Sequence, residues 1–315
     1  MNLLITRTLP QKVLDAARAR FDTTVHEGGK LSPDEARAAL SDYDLIIPTL
    51  GDAFGAAAFE GPAPRTRVLA NFGVGYNHID APAARAAGVE VTNTPGVLTD
   101  ATADIAMTLL LMAARRASEG ERVVRAGAWK GWTPTQMLGL HVTGKTVGIV
   151  GMGRIGKAVA KRCHYGFDMP VVFHNRSAVA DPGMPARQLG SLSELMAAAD
   201  IVVVCVPGGA ETRHLIDAAV LSHMQPHAVF VNIARGDVVD EAALIAALQE
   251  RRIAAAGLDV YENEPEVPEA LRALENTALL PHLGTAALEI REAMGMLALD
   301  NATAVAEGRS PPNPV

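Results

Sequence analysis

Aromatic residues are scarce in this 315-residue chain, at 4% against 49% for all apolar types. The core must therefore be built from Ala, Val, Leu and Ile. Cysteine is scarcer still. Cys163 and Cys205, the only two, lie far apart among apolar neighbours, which reads as buried thiols in a reducing compartment and excludes a disulfide scaffold. No Cys/His spacing resembles a zinc site, so no metal is expected. Excess positive charge is also missing, since 28 Lys and Arg face 35 Asp and Glu for a net charge of −7. That balance argues against a general nucleic-acid surface. The longest charge-free apolar stretch, residues 105–114, is half of the roughly 20 residues a membrane span needs. The start, Met1 to Arg7, lacks the basic segment of a signal peptide and reads as a short strand. The expectation is a cytoplasmic, membrane-free globular protein, with apolar content too high for disorder.

What the chain does have is alternation. Short β-rich runs at Leu3–Ile5, Leu45–Ile47, Val68–Ala70 and Val89–Thr92 are separated by helical stretches beginning near Pro10, Pro33 and Asn77. A long helix is predicted from Thr99 or Asp100 past Leu111. After a Gly-, Trp- and Thr-rich segment, a second series of strands reads at 146–150, 171–173, 201–204, 228–231, 254–258 and 278–280. Continuous apolar runs of this kind suit parallel strands covered by helices on both faces. The predicted class is α/β, with two doubly wound, Rossmann-like parallel-sheet domains. The final helix, about Ala286 to Glu307, lacks a partner in its own neighbourhood and is expected to return to the N-terminal half. The cofactor domain, 99–282, is then inserted into a substrate domain made of 1–98 and 283–315.

Gly151-Met152-Gly153-Arg154-Ile155-Gly156 is a G-x-G-x-x-G motif between a predicted strand and a predicted helix. Gly151 permits the tight turn, Gly153 lets a pyrophosphate approach the backbone, and Gly156 lets the helix pack closely. The helix N-terminus offers N–H groups to the anion. An NAD site expects an acidic residue at the next strand end. This chain instead carries Asn175-Arg176-Ser177, with no carboxylate across residues 169–180. All three side chains can donate to a 2′-phosphate, so NADP(H) is the expected cofactor, with NAD at lower efficiency. The alternative is a solvated Arg176 in an enzyme that uses both.

Three ionisable residues follow late strands: Arg235 after Ile233-Ala234, Glu264 beyond Asp259-Val260-Tyr261, and His282 after Leu280-Pro281. Ligands bind at that edge of an open α/β sheet. Arginine can clamp a carboxylate, and a histidine charged by a glutamate can donate a proton. With a nicotinamide, such a set fits reduction of a 2-oxo acid. Each residue also fits a plain structural role, and spacing alone does not make them converge.

These segments together resemble the D-isomer-specific 2-hydroxyacid dehydrogenase family, nearest its glyoxylate/hydroxypyruvate reductase branch. The similar stretches are Asn71–Asp80, Asn93–Thr99, Gly144–Gly156, Asn232–Gly236, Gly257–Pro265 and Pro281–Gly284. The resemblance implies that Arg235 holds the substrate carboxylate and carbonyl, that His282 protonates the carbonyl oxygen, and that Glu264 orients and charges His282. It implies substrate contacts from the N–H groups of Val74 and Gly75. It places Asp259 near the nicotinamide, with Val206, Pro207, Gly208, Thr212, Ile233 and Gly284 along the cofactor cleft. It further implies a homodimer joined through the helix after Thr99 and the Trp129/Trp132 segment, although two tryptophans can equally pack within one subunit. Ending at 315, the chain is expected to lack the regulatory domain of many phosphoglycerate dehydrogenases. Glu264, in place of glutamine, argues against the family's formate dehydrogenases. The same chemistry on a bulkier acid, such as 2-ketogluconate or an aryl-pyruvate, remains an alternative, with Leu50, Phe72 and Met137 as candidate pocket residues. So does a nucleotide-sensing, corepressor-like binding protein, which the absence of low-complexity tails disfavours.

Overall fold

A computed structural model describes all 315 residues. The chain first forms β1 (Asn2–Ile5), α1 (Gln11–Arg20), β2 (Asp22–Val25), α2 (Pro33–Asp42), β3 (Leu45–Ile47), β4 (Val68–Ala70), α3 (Ala81–Ala86) and β5 (Glu90–Thr92). It continues through α4 (Thr99–Ala114), α5 (Ala117–Arg125), β6 (Val147–Val150), α6 (Arg154–Phe167), β7 (Val171–His174) and β8 (Ala186–Gln188). Then come α7 (Leu192–Ala198), β9 (Ile201–Val204), α8 (Ala218–Leu221), β10 (Val229–Asn232), α9 (Glu241–Gln249) and β11 (Ala255–Leu258). The last elements are α10 (Glu269–Arg272), β12 (Thr277–Leu279) and α11 (Leu288–Ala306). Two compact units result, Met1–Leu98 with Thr285–Val315, and Thr99–Gly284.

In the first unit five parallel strands run in the order β2-β1-β3-β4-β5. Alternate residues serve opposite faces, as the two-residue repeat of a strand requires. Leu3, Ile5, Leu45, Ile47 and Val68 pack with residues of α1 and α11, whereas Leu4, Ile46 and Leu69 pack with residues of α2 and α3. Gly295 lets α11 settle on α1, because a Cβ there would lie 2.5 Å from Val13 Cγ2. The helix predicted from near Asn77 begins later, at Ala81, where the Asp80 carboxylate accepts from the Ala83 N–H at 2.9 Å. Just before it, Ile79 forms a bridge with Phe54 and the Asp80 N–H donates to the Phe54 carbonyl at 2.8 Å, which takes these residues out of a helical ladder.

The second unit has seven parallel strands in the order β12-β11-β10-β9-β6-β7-β8. Ile201 and Val203 belong to the core beneath α4 and α6; Val202 and Val204 belong to the core beneath α7, α8 and α9. This two-sided burial accounts for the unbroken apolar runs. Gly257 brings β11 against α4, since a Cβ would stand 2.9 Å from the Leu109 carbonyl oxygen. The long helix predicted from Thr99 past Leu111 is α4, Thr99–Ala114; Arg116, at φ 53°, separates it from the following α5. Strands β2 and β8 were not expected. Both lie at sheet edges and are partly exposed, so neither carries the apolar signature of a central strand. Cys163 is buried, which pushes its thiol up to about 12, while Cys205 is only half-buried; both are free. No helix is long and apolar enough to cross a membrane. No group of three or more His, Cys, Asp or Glu is placed to hold a metal ion.

Candidate active site

Strand β6 leads into the glycine loop inside the seven-stranded sheet, where the strand order reverses. Gly151 has φ 95°, and its N–H donates to the His174 carbonyl at 3.0 Å. A Cβ at Gly156 would lie 2.1 Å from the Gly151 oxygen, so α6 can start here only on glycine. Gly153 caps that helix without a side chain and has open space around it, leaving first-turn N–H groups accessible to an anion. Arg154 is exposed and Ile155 half-buried against the core.

Asn175, expected to face a phosphate, is half-buried and bonded within the loop. Its Oδ1 accepts from the Met152 N–H at 3.2 Å, and its amide donates to the Ser177 carbonyl at 3.2 Å. Asn175 thus ties the β7 end to the glycine loop. Arg176 and Ser177 are exposed, and Arg176 pairs with Glu211. On the loop after β9, Val206 packs against Gly151, and the Thr212 hydroxyl donates to the Pro207 carbonyl at 2.8 Å.

Glu264 and His282 come together, with Nδ1 of the imidazole 2.8 Å from Glu264 Oε2. The other carboxylate oxygen accepts from the Tyr261 N–H at 3.1 Å. Burial works to raise the Glu264 pKa, but His282, the Tyr261 N–H and the Arg235 charge outweigh it and hold the carboxyl below its ordinary value. His282 has φ 56°, an uncommon conformation for a non-glycine residue. Asp259 explains how it is held. The Asp259 carbonyl accepts from the His282 N–H at 3.0 Å, and its carboxylate accepts from the N–H groups of Leu283 and Gly284 at 2.6 and 2.8 Å. Burial still pushes that carboxyl upward.

Arg235 is set by Asn232, whose side chain donates to the Arg235 carbonyl at 2.9 Å and accepts from the Ala234 N–H at 3.0 Å. Its stem lies under Gly208, where a Cβ would be 2.6 Å from Arg235 Cγ. Burial lowers the guanidinium pKa, opposed by the charges of Glu264 and Asp237. Gly236 lies directly against the Tyr261–Glu262 peptide, fixing the arginine segment beside the glutamate segment. Ile233 is buried in the same strand-end turn.

In the first unit, Val74 and Gly75 belong to a loop shaped by two asparagines that the sequence reading did not single out. Asn71 Nδ2 donates to the carbonyls of Gly73 and Gly75 at 3.0 and 3.1 Å, and Asn93 Nδ2 donates to that of Val74 at 3.0 Å. In a planar trans peptide the N–H points opposite the C=O. Turning the carbonyls of Gly73 and Val74 toward the asparagines therefore turns the N–H groups of Val74 and Gly75 the other way. The result is an N–H edge of the kind that binds anions.

The sequence profile of the D-isomer specific 2-hydroxyacid dehydrogenase NAD binding domain matches residues 107–284. The chain belongs to this 2-hydroxyacid dehydrogenase family. Among its relatives, the glyoxylate reductase of Pyrococcus furiosus is 42% identical over 319 aligned positions, covering 98% of this chain and 94% of that protein. The glyoxylate reductase of Thermococcus onnurineus matches at the same identity and coverage. Of solved structures, a Thermus thermophilus protein superposes with a TM-score of 0.92 at 44% identity, with 100% of both chains covered. An NADPH-dependent glyoxylate/hydroxypyruvate reductase of Sinorhizobium meliloti, in complex with NADP and malonate, gives a TM-score of 0.90 at 37% identity, covering 100% of this chain and 96% of that one. The chain therefore shares both sequence and fold with such reductases along its whole length.

Proposed function

We propose that the protein reduces small 2-oxo acids, glyoxylate and hydroxypyruvate, to 2-hydroxy acids with NADPH. The observation that carries this reading is the hydrogen-bonded His282–Glu264 pair with the Arg235 charge beside it, at the strand ends that also hold the glycine loop. The donor set fits the dinucleotide, with a side-chain-free turn at Gly151, Gly153 and Gly156, uncapped helix N–H groups, and the exposed Arg176 and Ser177 for a 2′-phosphate. When bound, the dinucleotide supplies the hydride.

Arg235 binds the substrate carboxylate and polarises the adjacent carbonyl. Its guanidinium suits a planar carboxylate, and partial desolvation strengthens the contact. With Nδ1 committed to Glu264, His282 gives its proton from Nε2 to the carbonyl oxygen. Glu264, kept ionised, holds Nδ1 and so fixes the orientation of the ring. Asp259 holds the backbone on which His282 stands. For the N–H edge at Val74 and Gly75 we assign a carboxylate ligand as well. The names of the archaeal and Sinorhizobium relatives support this substrate class.

We also infer a cytoplasmic homodimer. Its support is the free state of both cysteines, together with a set of large apolar side chains left uncovered in one subunit. Val124, Trp129, Trp132 and Leu138 are exposed by 61, 55, 78 and 67%.

Initial rates with NADPH and NADH across a panel of 2-oxo acids test the catalytic proposal. The expected result is highest kcat/KM on glyoxylate and hydroxypyruvate with NADPH. Equal efficiency with NADH overturns the cofactor preference, and inactivity on all 2-oxo acids overturns the function.

A further inference from the structure

Arg176 and Glu211 form an ion pair that the proposed reaction does not use. Arg176 stands on the loop after β7, and Glu211 lies in the short 3-10 turn Ala210–Thr212 after β9. Strands β7 and β9 flank β6 on its two sides. The pair therefore joins the loops on either side of the glycine loop, across the sheet position where its strand order reverses. Neither loop depends on it for shape. Asn175 anchors one to the Met152 N–H, and the Thr212 hydroxyl closes the other onto Pro207.

We propose that Glu211 is a cofactor-specificity residue, holding the Arg176 guanidinium in competition with the 2′-phosphate of the dinucleotide. The proposal rests on the NADPH reading above and sharpens it. The Glu211 carboxylate, which accepts from Arg176 Nη1, and a 2′-phosphate draw on the same guanidinium, so contact with one weakens the hold on the other. The displaced carboxylate remains nearby and repels the phosphate. A 2′-hydroxyl makes neither demand. The end of β7 carries no carboxylate of its own across residues 169–180, so Glu211 brings an acidic group to this loop from the β9 side. Its effect is to temper the preference for the phosphorylated cofactor.

Both side chains are largely exposed, by 86 and 80%, so the effect is modest. The energies usual for exposed ion pairs correspond to about a two- to fivefold change in affinity. The test is the dissociation constants of NADPH and NADH at low ionic strength, read by nicotinamide fluorescence. They are measured on the unaltered protein, Glu211→Gln, Arg176→Ala and the double variant. The expected result is that Glu211→Gln tightens NADPH about two- to fivefold with less effect on NADH, that Arg176→Ala weakens NADPH, and that the Glu211→Gln gain disappears without Arg176. If Arg176→Ala weakens NADPH but Glu211→Gln changes nothing, the competition is overturned and the NADPH reading stands. A Glu211→Gln gain that persists without Arg176 also overturns it, because plain repulsion then suffices. If Arg176→Ala leaves NADPH binding unchanged, the role of Arg176 in NADPH recognition and the competition both fall.

Discussion

His282 combines an uncommon backbone conformation with a ring tied to a half-buried carboxylate, and each constraint has a separate source. The Asp259 carbonyl and carboxylate hold residues 282–284 by three N–H groups, while Glu264 holds the ring. His282→Ala is expected to lower kcat roughly a hundredfold or more while the dissociation constant for the dinucleotide stays nearly constant, because general acid catalysis is lost and the glycine loop is untouched. Fluorescence titration and steady-state rates on one preparation check both halves. Glu264 also links the site to stability. Its folded pKa is depressed, so its stabilising contribution is complete above about pH 4.3, the unfolded value, and is lost as pH falls through the folded value. The stability gap between the unaltered protein and Glu264→Gln, read as urea midpoints, should narrow as pH falls below about 4.3. Arg235, Glu264 and His282 were legible in the sequence because each closely follows an apolar run. Asn71, Asn93 and Asn232 were not, because each acts on a carbonyl whose direction depends on how its loop folds.

At the scale of elements, the central strands were legible and the edges were not. Strand β10, buried on both faces, declares itself by an unbroken apolar run. Strand β2, Asp22-Thr23-Thr24-Val25, pairs on one side only, and its composition also suits a loop. The start of α3 differs from the expected one because a local hydrogen bond decides it, at Asp80. Helix α11 belongs to the core of the first unit. Leu299 on this helix is fully buried with Leu3, Ile5, Leu45 and Ile47. Leu299→Ala should destabilise the first unit by about 2–5 kcal/mol, the usual cost of such a cavity. A lowered urea midpoint in the transition of that unit is the check.

For the whole molecule, the uncovered apolar set at Val124, Trp129, Trp132 and Leu138 is the surface we assign to a second copy. Trp132→Glu would bury a charge in that contact. Sedimentation velocity should then show a shift from dimer toward monomer, whereas an unaltered sedimentation coefficient would remove Trp132 from the interface. The discontinuous first unit also bears on how the protein is made. During synthesis, domains generally fold as units in the order they emerge. Here the first 98 residues reach solvent long before α11, the helix that covers one face of β3 and β4. The inserted unit can close around its own sheet while that face still waits uncovered. The nascent chain must therefore carry an apolar sheet surface until α11 has emerged, and that helix converts a sticky intermediate into a closed unit.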